Sequence, residues 1–532
     1  MSSAPSFPGN STPLRDTPTP AAPRSAWMPV LLAIVAALGV YAITLGGSYV
    51  YDDVILHEDA RFMHPNLWEE FWTQAYMPDA VDRLYRPLTC LTFAIEYSLH
   101  GDRPWIYHLV NILLNAAVAG AVAELARRLM GLRIALAAGL LFAVHPVHVE
   151  AVAGLVGRAE LLCALPTLLA LIFFLKPISA GRAIAIWVCL VIAILSKEQG
   201  ILLPGFLLAL VPFRRALMRG TGGLPVSLSD EHERAARPSD ATAMRGLAAA
   251  ICLTMAAYLI FREQLLGFEW NRQELDWTAN PLIRSVGVDR WLMPFVLLGR
   301  YVSLLIAPLK LSLDYGSYVI GWTVNWRQPW FYLGAMTAFV WIVAIIWTIR
   351  WRNYAAVFCL AALALSYGMV SNSVILIGTI FGERLMYLPS AFFCIVAAAL
   401  LASFCRGAML PIVVVIITAL FTVRTFTYAR LWNDPLRLYL ADLRDHPMST
   451  HLHGLVVDQY LARGEYRAAR EVAADSLRKL PDAFESYRMA VAADLKLHDY
   501  ADARRVLAHP DRRVPGKKIA DLQEAVDAAD KR

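Results

Sequence analysis

WMPVLLAIVAALGVYAITLGGSYVYDD, residues 27–53, is the stretch from which the rest is read. Trp27 to Gly47 carry no charge. At about 1.5 Å per helical residue they are long enough to cross a hydrocarbon layer of about 30 Å. In lipid only helices and closed barrels satisfy their own backbone polar groups. The stretch therefore reads as a membrane helix. It is too long for a signal-peptide core, and no clear small-residue cleavage site follows it, so it is expected to be a retained anchor. Just past its end stand two adjacent acids, Asp52 and Asp53. Before it, residues 1–26 are rich in Pro, Ser and Thr and are expected to be a disordered cytoplasmic tail.

The same signal recurs along the chain. Of 532 residues, 58% are hydrophobic and 17% charged, which excludes an ordinary soluble domain. The net charge of +6 comes from loop clusters such as Arg214-Arg215 and Arg350/Arg352. That pattern marks topology and gives no sign of nucleic-acid binding. Most cysteines, including Cys163, Cys189, Cys252, Cys359 and Cys394, lie inside apolar runs, so no disulfide framework is expected. The expected fold is all-α, with about 11 membrane spans. They lie near residues 27–47, 107–125, 134–152, 161–175, 183–195, 201–213, 246–261, 330–349, 355–377, 385–404 and 410–423. Residues 291–308 are apolar enough to cross. Arg290 and Arg300, together with the inside preference of Arg350 and Arg352, make this segment an interfacial or re-entrant helix instead.

This topology puts residues 27–435 in a membrane domain. It has large outer loops at 48–106 and 263–329 and a cytoplasmic loop at 214–245. Leu67, Trp68, Phe71 and Trp72 predict amphipathic helices lying on the membrane surface, and Trp270, Trp277, Trp322 and Trp326 an interfacial aromatic belt. Residues 447–532 are charged and helix-prone. Leu461, Tyr466, Ala469 and Val472 recur 34 residues later as Leu495, Tyr500, Ala503 and Val506, the tetratricopeptide period. A small helical-repeat domain on the outer side, open to a protein partner, is expected there.

On this topology the unusual polar residues gather near one membrane face. They are Asp52, Asp53, Arg86, His108, His145, His148, Glu150, Arg158, Lys197, Glu198, Glu383 and Arg384. A transport path would instead carry them to mid-membrane and to both sides. Either aspartate of the pair can serve as a base toward an acceptor hydroxyl while the other tunes or positions it. Arg86, Arg158 and Arg384 can each clamp a phosphate, because a guanidinium fork fits its oxygens. In isolation each of these residues is more simply a turn, a cap or a salt bridge; their concentration on one side carries the functional reading. His145 and His148 in HPVHVE lack the zinc-protease pattern. No metal or cofactor is expected, and a divalent ion between these residues and an aspartate is the weaker reading.

In order, YVYDD, YRPLT, YHLVNILLN, FAVHPVHVEAVAGLVGRAELL, SKEQGILLP, PLKLSLDYG and GERLMYLPS resemble the membrane O-mannosyltransferase family with C-terminal tetratricopeptide repeats, a GT-C class of polytopic glycosyltransferases. The resemblance covers about residues 28–435 and continues into the repeats. It implies inverting transfer of a sugar, mannose first, from a polyprenyl-phosphate donor to a hydroxyl of a protein or glycan acceptor outside the cytoplasm. It implies Asp52 or Asp53 as base, and His145, His148 and Glu150 as a second motif. Arg384 with Glu383 would stand at the lipid phosphate, with Tyr387 in the donor-binding set. The short tail and the private 214–245 loop depart from animal members, and the lack of a eukaryotic signal points to a bacterial inner membrane with the site facing the periplasm. A lipid-glycan flippase and a non-catalytic scaffold are the competing readings.

Overall fold

The computed structural model describes residues 26–76, 84–219, 238–266 and 277–531. The expected tail before Ala26, residues 220–237 of the 214–245 loop, and Trp270 lie outside the described residues. Among the described residues every regular element is a helix. Eight helices are long and apolar enough to cross a membrane. A ninth span is broken, its halves Leu132–Ala143 and Pro146–Ala153 meeting at 49°. The break sits at His145, whose extended backbone suits the residue before a proline. Ala180–Ser196 and Tyr354–Val370 are shorter apolar helices. Each of the eleven expected segments thus contains a helix, the one expected over 355–377 ending at Val370, and the chain is a multi-pass membrane protein.

Burial sorts these helices. Leu155–Phe174 sits centrally, with 83% of its apolar window buried, whereas Pro329–Arg350 has 6% and turns Phe339, Ile342, Ile346 and Trp347 outward. A helix apolar all round and exposed all round is a lipid-facing one. The central helices close on small residues. A Cβ at Gly139 would lie 2.8 Å from the Ala123 Cβ, and one at Gly120 would lie 3.1 Å from Ile34. Helices in lipid gain stability from such close approach, because apolar burial alone drives little association there.

Asp289–Ile306 answers to the segment expected at the interface. Near its start Arg290 donates to the Ser373 carbonyl, and near its end the Leu305 carbonyl bonds the His145 ring. Tyr301 meets Gly382 between them. These contacts tie both ends of the helix to neighbouring elements. It packs on Pro329–Arg350 glycine to glycine: a Cβ at Gly334 would stand 1.8 Å from the Phe295 carbonyl oxygen, and one at Gly299 would stand 2.0 Å from that of Trp330.

The first outer loop differs from the expected surface-lying helices. Its tryptophan-rich run breaks into short turns at Pro65–Leu67 and Glu70–Thr73. Phe71 turns inward onto Phe62 and Phe93 in a small core of the loop's own, leaving Trp72 half-exposed. Beyond the last span, Pro435–Asp445 leads to Thr450–Ala462, Tyr466–Lys479, Phe484–Lys496, Tyr500–Ala508 and Gly516–Asp530. Tyr466 and Tyr500 each open a helix, and the left-handed residues before them, Gly464 (φ 75°) and His498 (φ 58°), keep the same spacing.

The glycine contact sets a test. Gly334→Ala forces a methyl into backbone and is expected to cost about 1–3 kcal/mol, lowering the unfolding temperature in detergent. Gly368→Ala, which meets open space, is expected to leave it unchanged or slightly raised. Equal melting of the two variants would contradict the contact.

Candidate active site

After the first helix the chain tightens into Ala42–Gly46 and then runs extended into a short turn at Tyr51–Val54. Tyr51 holds φ 58°, a conformation that non-glycine residues rarely adopt. Its N–H donates to the Tyr439 hydroxyl at 2.9 Å and its ring lies against His451. This turn sends the two aspartates in opposite directions.

Asp53 points inward and is fully buried, accepting N–H groups from Val50 (3.2 Å) and Val156 (2.9 Å). Burial pushes its pKa up to about 7 from 3.8, against the lowering effect of those backbone bonds. It staples the first loop to the GRAELL turn and is closed to substrate. Of the two aspartates given as candidate bases, it is therefore set aside on burial. Asp52 points outward. It is 27% exposed and accepts Arg384 Nη1 at 2.8 Å.

Arg384 joins Asp52 to the HPVHVE segment. Its backbone N–H donates to Glu150 Oε2 at 2.8 Å, and its Nε lies 3.2 Å from Glu150 Oε1. The guanidinium is 28% exposed, so it keeps an open edge. A second cluster continues the surface. Arg86 forks onto Glu198 with bonds of 2.9–3.3 Å, and Lys197 pairs with Glu160. Lys197 and Glu198, adjacent in sequence, thus take separate partners. Tyr76 lies under Arg86 at 5.3 Å and feels the charges of Asp52, Arg384 and Arg86 together, so the two clusters form one polar face, termed the bowl.

The other expected residues lie behind that bowl. Arg158 is fully buried, with Nε on Asn111 (2.8 Å), Nη2 on the Tyr107 carbonyl (2.9 Å), Nη1 on Glu96, and its plane 4.0 Å from the Phe93 ring. It is a structural lock, and its full burial closes it to the phosphate-clamp role expected of it. His145 accepts the Val147 N–H at Nδ1 and bonds the Leu305 carbonyl through Nε2, which fixes a neutral tautomer with the proton on Nε2. It caps the broken helix. His148 bonds Ser390 at 2.7 Å between Phe142 and Tyr387, and the Tyr387 hydroxyl donates to Asn115 at 2.7 Å. His108 is buried beneath Gly47, where a Cβ would come within 2.6 Å of its ring.

Glu383 turns away from its neighbour Arg384. It accepts the Ser312 N–H and the Tyr315 hydroxyl, each at 2.7 Å, and burial pushes its pKa well up. The expected Glu383–Arg384 pair at the phosphate is therefore replaced by Glu150–Arg384. Tyr76, Glu96 and Asp442 do not stand out in the sequence. Asp442 holds the Leu313 N–H (2.9 Å) and the Tyr428 hydroxyl. Among the described residues no three His, Cys, Asp or Glu side chains come together as a metal site.

Residues 86–222 match the family described as dolichyl-phosphate-mannose-protein mannosyltransferase. Similar curated proteins are the Protein O-mannosyl-transferases TMTC3 of Mus musculus (28% identical over 69% of this chain and 41% of that protein), F38B6.6 of Caenorhabditis elegans (27%, over 80% and 59%) and tmtc2 of Xenopus laevis (37%, over 32% and 22%). The chain spans about half the length or less of these relatives. ArnT from Cupriavidus metallidurans bound to undecaprenyl phosphate aligns with TM-score 0.38 and 16% identity over 90% of this chain and 79% of that one, too loose a likeness to carry weight. By sequence the chain is similar to protein O-mannosyltransferases.

The Asp53 environment sets a pH dependence. A carboxyl whose pKa rises from 3.8 to about 7 on folding contributes stability that is full below 3.8 and is lost as pH climbs through about 7. The unfolding temperature is expected to fall between pH 5 and pH 8, and Asp53→Asn to flatten part of that fall. Asp442, also pushed up to about 7 by burial, contributes in the same direction. A wild-type melting temperature that rises over this window would contradict the assignment.

Proposed function

We propose that this protein is a membrane glycosyltransferase of the GT-C type. It moves mannose from a polyprenyl-phosphate donor to an acceptor hydroxyl on the non-cytoplasmic face, with inversion at the anomeric carbon and Asp52 as the base. The observation that carries this reading is the division of labour within the acidic pair: one carboxylate is sealed in the fold, and the other is half-open beside a guanidinium with a free edge. The names of the related proteins support the sugar and the class of acceptor reaction. A bacterial inner membrane, with the bowl facing the periplasm, is the setting that fits the loop arginines.

As the acceptor oxygen attacks the anomeric carbon, Asp52 takes its proton. The bond from that carbon to the phosphate oxygen breaks, and the polyprenyl phosphate leaves with the electron pair. Charge then grows on the phosphate, where Arg384 and Arg86 lie on the bowl's rim. Such preoriented cations act most strongly where water is scarce. Glu150 grips both the backbone and the Nε of Arg384. It fixes the guanidinium so that its remaining edge is offered outward. Glu198 does the same for Arg86. The confinement of these groups to one layer favours transfer over passage through the membrane.

Asp52→Asn is expected to lower sugar transfer from polyprenyl-phosphate mannose by about 10²-fold or more, with the unfolding temperature little changed. Arg384→Ala is expected to lose both turnover and donor affinity. Purified protein incubated with several polyprenyl-phosphate sugars identifies the one consumed. Full transfer by Asp52→Asn would sink the base assignment, and consumption of none of the donors by wild type would sink the reading as a whole.

A further inference from the structure

The stretch that carries the acidic pair is tied at both ends to one side chain. Tyr49 stands before the pair and His57 after it. The Tyr49 hydroxyl donates to Asp102 Oδ1, and His57 Nδ1 lies 3.3 Å from Asp102 Oδ2. The two rings meet edge to face with centroids 3.6 Å apart. The chain that leaves at Tyr49 thus returns at His57 to the same carboxylate. Residues 50–56 between them form a closed loop, and Asp52 is on it.

Asp102 is placed for this by the turn in front of it. Pro87–His100 ends at Gly101, whose backbone is left-handed (φ 69°), and the long helix Pro104–Met130 begins just beyond Asp102. Tyr49 also rests on the small core around Phe62, Phe71 and Phe93. The inner side of the loop has its own ties: Asp53 accepts the Val50 and Val156 N–H groups, and the Tyr51 N–H donates to Tyr439. Tyr51 keeps its left-handed backbone (φ 58°), a conformation that persists only where surroundings over-determine it. The clamp itself adds little to global stability. His57 and Asp102 are 37% and 46% exposed, and exposed ion pairs are weak. Its effect is local, on the segment whose ends it joins.

We propose that Asp102 is a positioning residue for the transfer: through Tyr49 and His57 it fixes the loop that presents Asp52 to the acceptor hydroxyl. The proposal rests on the transferase reading above, in which Asp52 is the base. Proton abstraction needs the base within hydrogen-bond reach of the acceptor oxygen. A misplacement of about 1 Å at such a centre can cost about 10²-fold in rate. With one end of the loop released, the Tyr51 turn relaxes and Asp52 shifts relative to Arg384. Asp102 acts through Asp52 and makes no contact with the reacting atoms.

The test uses the full chain in detergent. Several polyprenyl-phosphate sugars serve as donors and a pool of Ser- and Thr-containing peptides as acceptor. Asp102→Ala is expected to lower kcat about tenfold, to leave KM for the donor within about twofold, and to leave the unfolding temperature unchanged. Hydrogen exchange of the residue 50–56 amides, read by mass spectrometry, is expected to quicken about tenfold. Asp102→Asn keeps an oxygen for the Tyr49 hydroxyl and is expected to recover part of the rate. Tyr49→Phe added to Asp102→Ala is expected to cost nothing more, because the two act as a unit. An unchanged kcat, additive losses, or a lowered unfolding temperature that accounts for the loss would each overturn the proposal. Exchange is read on the same samples. Wild-type turnover with unchanged exchange in Asp102→Ala overturns the clamp and leaves the transferase reading. Quickened exchange with no donor consumed by wild type overturns the transferase reading, and with it the role given to Asp102.

Discussion

Arg384 is the tie on which the polar face depends. It bonds Asp52 near the beginning of the chain and Glu150 in the broken third span, and it opens the helix near the end of the membrane domain. Glu150 is buried, and removing one partner of a buried ion pair leaves a charge without compensation and costs about 3–5 kcal/mol; the pair with the part-exposed Asp52 contributes about 1 kcal/mol or less. Three segments remote in sequence are therefore held in register by one side chain. The same rule runs through the layer: Arg158 with Glu96 and Asn111, Lys197 with Glu160, Arg86 with Glu198. Apolar packing brings the helices together, and these pairs decide how they are seated.

The membrane architecture was legible because each span announces itself over its own length of apolar sequence. All eleven segments contain a helix for that reason. Several of the polar motifs also meet in the fold, Asp52 and Glu150 on Arg384 and Arg86 on Glu198. Their individual roles were not legible. Whether Asp52 or Asp53 faces outward depends on the backbone of Tyr51, and neighbouring letters carry no sign of that. Arg158 looked like a clamp because its partners, Glu96 and Asn111, sit on other helices. Glu160 reads in sequence as a partner for an arginine, and its actual partner is a lysine 37 residues away that only the fold brings beside it. The kink at His145-Pro146 had a visible cause in the proline, yet the apolar pattern ran through it.

Burial divides the acids by task. Asp53, Glu383 and Asp442 receive backbone or hydroxyl donors and have their pKa values pushed up. They act as fasteners for the first loop, the LSLDYG loop and the start of the tail. Asp52 alone of the opening pair reaches the open bowl. The chemistry expected here needs a carboxylate that is held without being enclosed, and the ion pair with a half-open arginine provides that.

The spacing of the tail helices has a further consequence. Gly464 and His498 place the same left-handed turn at the same point of successive units. Stacked units of this kind touch mainly their neighbours, so an array lengthens by whole helix pairs while its first contact stays fixed. The fixed contact here is the meeting of Tyr51 with His451 and of Asp314 with Ser449. The reach of the helical tail beyond this contact is thus a modular length, adjustable by duplication without altering the geometry beside Asp52.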